Sequence, residues 1–507
     1  MKVAVRVAGV GLAVIVCSAH IGSPDVWYDG NAGPYRVTVQ VVTPSVVPGV
    51  AKVYARVEGA DVQQVTAQAN RYDAIAASPP PEIAAPVEGT PGMYETSLWI
   101  MTGGSNSITV GVTGSRGSGK AVIPVVVVAN RRLELDPKLG ATLAAVGAFL
   151  FVGLITIIGG AVRESVLPPG EAPGPERRWK ARAAVAISAV LLALALFGGS
   201  RWWNSADAAF TRTIYKPLAA SASIQSGASG DVLDLRISDS VWTMRNDTAW
   251  LRTHRASRWS PLIPDHGKLI HVFMIREPDL RAFAHLHPST RDSVSFPAAL
   301  PPLPAGRYRV YGDIVHESGF AETVAATVDL KRGVEVRTAA VGADDASHYS
   351  VAEPNSTSAA LEDGSVMTLN HGPQLVAGKE AQLRFTITDA GGKPLTLEPY
   401  VGMPGHAVVT RDDGSVFVHL HPGGTISMAS QMALTMRRPG DSTLGVLGKR
   451  IEASGSMSPA MPMPRDGTLS LPYAFPQPGK YHMWVQVKHG GRVLTGLFAL
   501  EVAPAER

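Results

Sequence analysis

Strand-like alternation of apolar and polar positions runs through most of the chain and is broken by two long uncharged apolar runs. Between residues 35 and 131 the alternation is carried by Tyr35-Arg-Val-Thr-Val-Gln-Val-Val, Ala51-Lys-Val-Tyr-Ala-Arg-Val and Ser107-Ile-Thr-Val-Gly-Val, with Pro- and Gly-rich turns between them. Period-two patterning buries one face of a strand. About seven such strands in about 110 residues predict an Ig-like β-sandwich over 20–135. The apolar runs, 139–162 and 183–199, carry no charged side chain. The first is long enough to span a bilayer core, which takes ~20 residues. Trp202 and Trp203 follow the second, where indole rings favour the membrane interface. The pattern therefore predicts a two-helix transmembrane hairpin, joined by a loop at 163–182 and followed by a juxtamembrane linker at 200–231.

Alternation resumes after residue 231 in two stretches that share a plan. One covers 232–332 and the other 365–507, with a polar linker at 333–364. They open on Leu233-Asp-Leu-Arg-Ile-Ser-Asp and Leu383-Arg-Phe-Thr-Ile-Thr-Asp. Each continues with a lone His, a short strand, a polar turn, a second strand and His-Leu-His-Pro. Each closes on a Gly-x-Tyr strand with a His eight residues after the Tyr. This is an internal duplication, and each copy reads as a small antiparallel sandwich. The fold class expected is mainly β: three Ig-like β-sandwich domains plus the helical hairpin.

The hairpin register follows from the turn. In the second copy Asp413-Gly414 is a strong two-residue turn signal. Pairing outward from it sets opposite each other residues whose numbers sum to 827, so His406 faces His421. His419, two residues from His421, points to the same face. In the first copy the spacing is one residue longer, and an odd loop around Pro278-Asp279-Leu280 sets His271 opposite His287, with His285 beside them. Opposed residues sit ~4.5–5.5 Å apart, within reach of one ion. His316 and His489, on the closing strands, are the expected fourth ligands. Eight of the 14 histidines thus fall into two matching sets. Imidazole suits copper and zinc, and tetragonal nitrogen donation favours Cu(II). Copper is the expected metal, with zinc as the alternative.

Composition narrows the classes. Charged residues make up 17% of the 507, and mean hydropathy is slightly positive at +0.10, as membrane segments would make it. The formal charge of +4 is scattered, which argues against a nucleic-acid surface. The single cysteine, Cys17, rules out an intrachain disulfide. Lys2 and Arg6 before the apolar run 7–16 and Cys17-Ser18-Ala19 read as a signal peptide over 1–19. Cleavage after Ala19 would expose His20, whose amine and ring could brace copper. The positive excess of 163–182 fits a cytoplasmic loop, so the N-terminal domain and everything after residue 200 are expected outside the cytoplasm. The second copy is also rich in methionine. Met403, Met457, Met461 and Met463 are weaker candidates for Cu(I), whereas Met428, Met432 and Met436, spaced by four, equally form the inward stripe of a helix.

At these residues the chain resembles a group of bacterial envelope proteins that carry His-x(13)-His-Leu-His-Pro hairpins on YtkA-like or FixH-like β-sandwich domains. The first domain, with Gly92-Met-Tyr94, also looks like that superfamily, without the histidines. The resemblance implies copper handling or oxidase maturation at the bacterial cytoplasmic membrane, with an extracytoplasmic metalloprotein or metal chaperone as partner. The expectation is thus a membrane-anchored, extracytoplasmic metal-binding protein rather than an enzyme. A scaffold of Ig-like modules without metal is the alternative, and a copper oxidase using His20 is a further one. No small-molecule substrate is indicated.

Overall fold

The computed structural model describes residues 20–21, 25–74, 77–168, 170–227, 230–244, 257–290, 292–334, 342, 344–438, 441, 445–454 and 463–505. The expected signal peptide, Met457 and Met461 lie outside them. The chain divides into two compact units, 128–216 on one hand and 1–127 with 217–507 on the other. It is mainly β, as the alternation predicts.

The smaller unit is a pair of helices, Pro137–Glu164 and Pro175–Thr213. Both are long and apolar enough to cross a membrane. Asp136 caps the first by accepting from the backbone N–H groups of Lys138 and Leu139, which satisfies donors the helix cannot. The second helix begins at Pro175 and ends at Thr213, so it takes in the last part of the expected loop and the first part of the expected linker. Pro at a first helical position starts a helix rather than breaking one. The helices approach closely at Gly159, where a Cβ would meet Val185 Cγ2 at 2.6 Å.

The larger unit holds three two-sheet sandwiches. The N-terminal one pairs a five-stranded sheet, built on Asp25–Ala32, Tyr35–Val42, Gly49–Val57 and Met93–Ile100, with a four-stranded sheet built on Val62–Arg71, Gly104–Gly114 and Gly117–Val127. Alternate residues such as Val37, Val39 and Val41 are fully buried between them.

The first histidine-bearing sandwich packs a three-stranded sheet against a six-stranded one in which His271–Glu277 lies between Ala282–Leu286 and Gly306–His316. The second has the same plan, with His406–Arg411 between Val416–Leu420 and Gly479–His489. The expected linker is partly strand. Ala346–Tyr349 adds an edge to the first copy, and Ser358–Ala360 adds one to the second copy's smaller sheet. His20–Ile21 pairs in parallel with Val416 and Phe417.

The two hairpin sheets are apolar on both faces. Val272 and Met274 enter the first sandwich's core, and Ala407 and Val409 enter the second's. Phe273, Ile275, Phe283 and Tyr311 instead pack with Val408, Phe417, Trp484 and Leu497 in a cluster that joins the two copies. Tyr311 stacks on Phe417 with ring centroids 3.9 Å apart, and Phe283 on Trp484 at 5.1 Å. The copies therefore meet hairpin sheet to hairpin sheet, and the histidine ends of both hairpins come to the same seam.

Candidate metal centre

Local pairing sets each triad. In the second copy Ala407 pairs with Leu420 and Val408 with His419, the register in which numbers sum to 827. In the first, Val272 pairs with Leu286 and Phe273 with His285. His271, His285 and His287 converge, as do His406, His419 and His421. In each triad one ring nitrogen per residue lies within 4.8 Å of the others.

Each of the six rings is held by its outer nitrogen. His271 donates Nε2–H to the Asp265 carbonyl at 3.3 Å, and His406 to the Tyr400 carbonyl at 3.1 Å. His421 donates Nδ1–H to the Ile426 carbonyl at 3.0 Å, and His287 to Asp345 Oδ1 at 2.9 Å. His285 Nδ1 lies 2.9 Å from Gln486 Oε1 and 3.1 Å from the Tyr400 hydroxyl, which itself donates to the Asp344 carbonyl. His419 Nδ1 is 3.4 Å from Asp313 Oδ2. Three of these supports cross the seam: Gln486 and the Tyr400 hydroxyl of the second copy steady His285 of the first, and Asp313 of the first faces His419 of the second.

The inner nitrogens carry the argument. His271 Nδ1 lies 3.2 Å from His285 Nε2, and His406 Nδ1 lies 3.0 Å from His419 Nε2. Once the outer nitrogens hold the protons, these inner atoms present lone pairs to each other. His287 Nε2 and His421 Nε2 are buried with no hydrogen-bond partner among the described residues. Burying unpaired acceptors costs free energy, and a cation at their meeting point would offset that cost. Two nitrogens bound to one tetrahedral ion at ~2.0–2.1 Å lie about 3.3 Å apart, close to the spacing of the inner pairs.

Electrostatics keep the rings neutral. Burial, followed by the neighbouring imidazoles, holds His271, His285, His406 and His419 well below the usual imidazole range. His421 is held down to about 4, again chiefly by burial. Burial also lowers His287, against the pull of Asp345. Burial would raise the Asp345 carboxyl, but the His287 ring and the backbone N–H groups of Gly342 and His287 outweigh it and hold the group low. Asp313 is pushed up to about 7 by desolvation, although Thr323 donates to it. A bound cation would favour its carboxylate form.

The expected fourth ligands do not join. His316 bonds the Ser260 carbonyl at 3.1 Å and Glu322 at 3.0 Å, with Trp242 edge-on to its ring. His489 ends its strand at the surface, with Nδ1 2.8 Å from the Thr396 carbonyl. Register explains both. Asp313 pairs with His271 and Gln486 with His406, and a residue three positions further points to the other sheet face.

The remaining candidates are placed as follows. Met403 is buried, with its backbone bridged to Tyr400, and Met463 packs against the second sandwich's core. Met432 and Met436 pack onto a cluster with Ile263, Val315 and Leu447, as a helix stripe would. The side chain of His20 is outside what the structure describes.

Sequence reasoning missed the residues that hold the rings, and it missed His266. The Asp265–Lys268 bridge matches the Tyr400–Met403 bridge of the second copy. Each lies just before its lone His and supplies the carbonyl that anchors it. Asp313 and Gln486 both stand five residues after the closing Tyr. These repeated offsets were the available signals.

Residues 229–332 and 359–504 fit the profile of a family described as "Domain of unknown function (DUF8832)". No curated protein matches the sequence. Among solved structures, the chain is similar to dimeric latent PorU from Porphyromonas gingivalis at 10% identity, covering 90% of this chain and 32% of that one, with a TM-score of 0.14. It spans about a third of that protein's length. A putative membrane anchored protein from Corynebacterium diphtheriae is 8% identical over 95% of this chain and 96% of that one, also at 0.14. The D1–D4 ectodomain fragment of ICAM-5 is 8% identical over 93% and 77%, again at 0.14. Scores this low carry no argument. The family match is the similarity that bears on the site, and its two stretches contain the two histidine hairpins.

Proposed function

We propose that this chain is a membrane-anchored, extracytoplasmic metal-binding protein that holds copper in its histidine triads, to buffer it or deliver it to a metalloprotein. The observation that carries this reading is the arrangement of six buried imidazoles, each with its outer nitrogen on an oxygen and its inner nitrogen toward its neighbours. Metal-ligating histidines are typically oriented in this way by a carboxylate, carbonyl or water on the far nitrogen. A scaffold without metal would be expected to turn these rings apart or pair both nitrogens, as His316 is paired.

Neutral imidazole donors suit copper and zinc, and copper agrees with the envelope-protein resemblance. The two apolar helices are compatible with anchoring. Arg163, Arg177, Arg178, Lys180 and Arg182 border their connection, and a positive excess of this kind favours the cytoplasmic side. The triads then lie on the opposite side.

The test is titration of the full chain in detergent with Cu(I), Cu(II) and Zn(II), beside a His285→Ala/His419→Ala variant. Tight binding that the variant loses by at least tenfold is expected. Equal binding by both proteins, or by neither, would overturn the reading.

A further inference from the structure

The two triads lie side by side at the seam. Ring centroids within a triad lie 4.4–5.4 Å apart. Across the seam His271 is 5.5 Å from His419, His285 is 5.7 Å from His419, and His285 is 6.3 Å from His406. The spacing between triads is therefore close to the spacing within them. Phe273 lies against both, 4.3 Å from His285 and 4.9 Å from His419.

A seventh histidine stands at the same seam. His266 has a side chain only 6% exposed, and its Nε2 is buried without a hydrogen-bond partner among the described residues. Its ring is 5.7 Å from His421, 5.9 Å from His406 and 6.3 Å from His271. The second copy has Val401 at the equivalent turn position, and both residues adopt positive φ, 50° for His266 and 48° for Val401. The duplicated turn therefore carries an imidazole in one copy only, and that imidazole reaches the other copy's triad. Asp265, Asp313 and Asp345 surround the rings and would offset repulsion between two cations.

We propose that the two triads form a single two-metal centre across the seam between the copies, with His266 as an additional ligand on the side of His406 and His421. This rests on the metal-binding reading. It adds that the ions sit close enough to interact and that the two sandwiches share one site.

The test is Cu(II) loading of the full chain in detergent, with bound copper counted per chain and electron paramagnetic resonance recorded. Two ions per chain are expected, with a half-field transition and a dipolar-broadened signal. His406→Gln should bind one ion and give a narrow mononuclear spectrum. His266→Gln, a milder change that keeps both triads, should retain the half-field transition but release the second ion at least tenfold more readily. Two bound ions with unbroadened mononuclear spectra would overturn the proposal while leaving the metal-binding reading intact. So would a His266→Gln protein indistinguishable from wild type. Absence of bound copper would instead count against the reading beneath it.

Discussion

At the scale of single residues, the site depends on protons being in the right place. His271 and His406 keep theirs on Nε2 because a backbone carbonyl accepts there. His287 and His421 keep theirs on Nδ1. Replacing Asp345 by Asn removes the charge that steadies His287, and loss of such a support typically costs about 10–100-fold in metal affinity. Competition with a chelator of known affinity should show a drop of that size, with the fold unchanged by circular dichroism.

The same residues set the pH dependence. These imidazoles titrate below their ordinary value in the folded state, with His421 at about 4, whereas in the unfolded chain they take up protons near ~6.5. Between those values the unfolded state binds more protons, so stability falls as pH falls. The metal-free protein should therefore melt at progressively lower temperature from about pH 6.5 toward pH 4. Above that window these groups contribute no slope. Thermal melts across that range check the sign.

At the scale of elements, the seam holds the two hairpins together. Phe283 and Trp484 are fully buried and stacked across it. Phe283→Ala should cost about 3–5 kcal/mol in denaturant unfolding, as large-to-small changes at buried aromatics do, and should weaken metal binding in both triads. The N-terminal sandwich supports the second triad through one loop. Asp29 N–H donates to the Gly423 carbonyl, Thr425 N–H donates to the Trp27 carbonyl, and Ile426, whose carbonyl holds His421, packs in the N-terminal core. Gly424 has φ +107°, and a Cβ there would meet the Trp27 carbonyl oxygen at 2.1 Å. Gly424→Val should release His421 and lower copper affinity at that triad, read as loss of one ion from the metal count.

Much of this was legible in the sequence, and the parts that were not share a cause. The hairpin registers followed from Asp413-Gly414 and the period of two, because pairing within a hairpin is local. The fourth-ligand assignment to His316 and His489 used a matching offset from Tyr308 and Tyr481 without fixing the strand register. Three positions is an odd step, and it turned both rings to the wrong face. His266, Asp345 and the cross-seam partners Gln486 and Asp313 depend on how one sandwich meets the other. No local pattern encodes that, although the double-sided apolar strands, such as Val272-Phe-Met-Ile275, hint that both faces are covered.

At the scale of the whole molecule, two sandwiches of one plan contribute three histidines each to a buried cluster, a third sandwich supports one triad, and a pair of helices is long and apolar enough to cross a membrane. The proposed orientation can be checked in intact cells. In a Cys17→Ser background, a cysteine placed at Glu171 should resist a membrane-impermeant maleimide, and one placed at Ser356 should react. The reverse pattern would put the triads on the cytoplasmic side.

The metal-binding reading stands or falls on what touches the metal. X-ray absorption at the copper edge of the loaded full chain reads that directly. The expected first shell is nitrogen only, at about 2.0 Å, with the outer-shell scattering of imidazole rings, and it should disappear in a variant with His285 and His419 both replaced by Ala. A shell dominated by sulfur at about 2.3 Å, or a nitrogen shell that survives that double substitution, would contradict it.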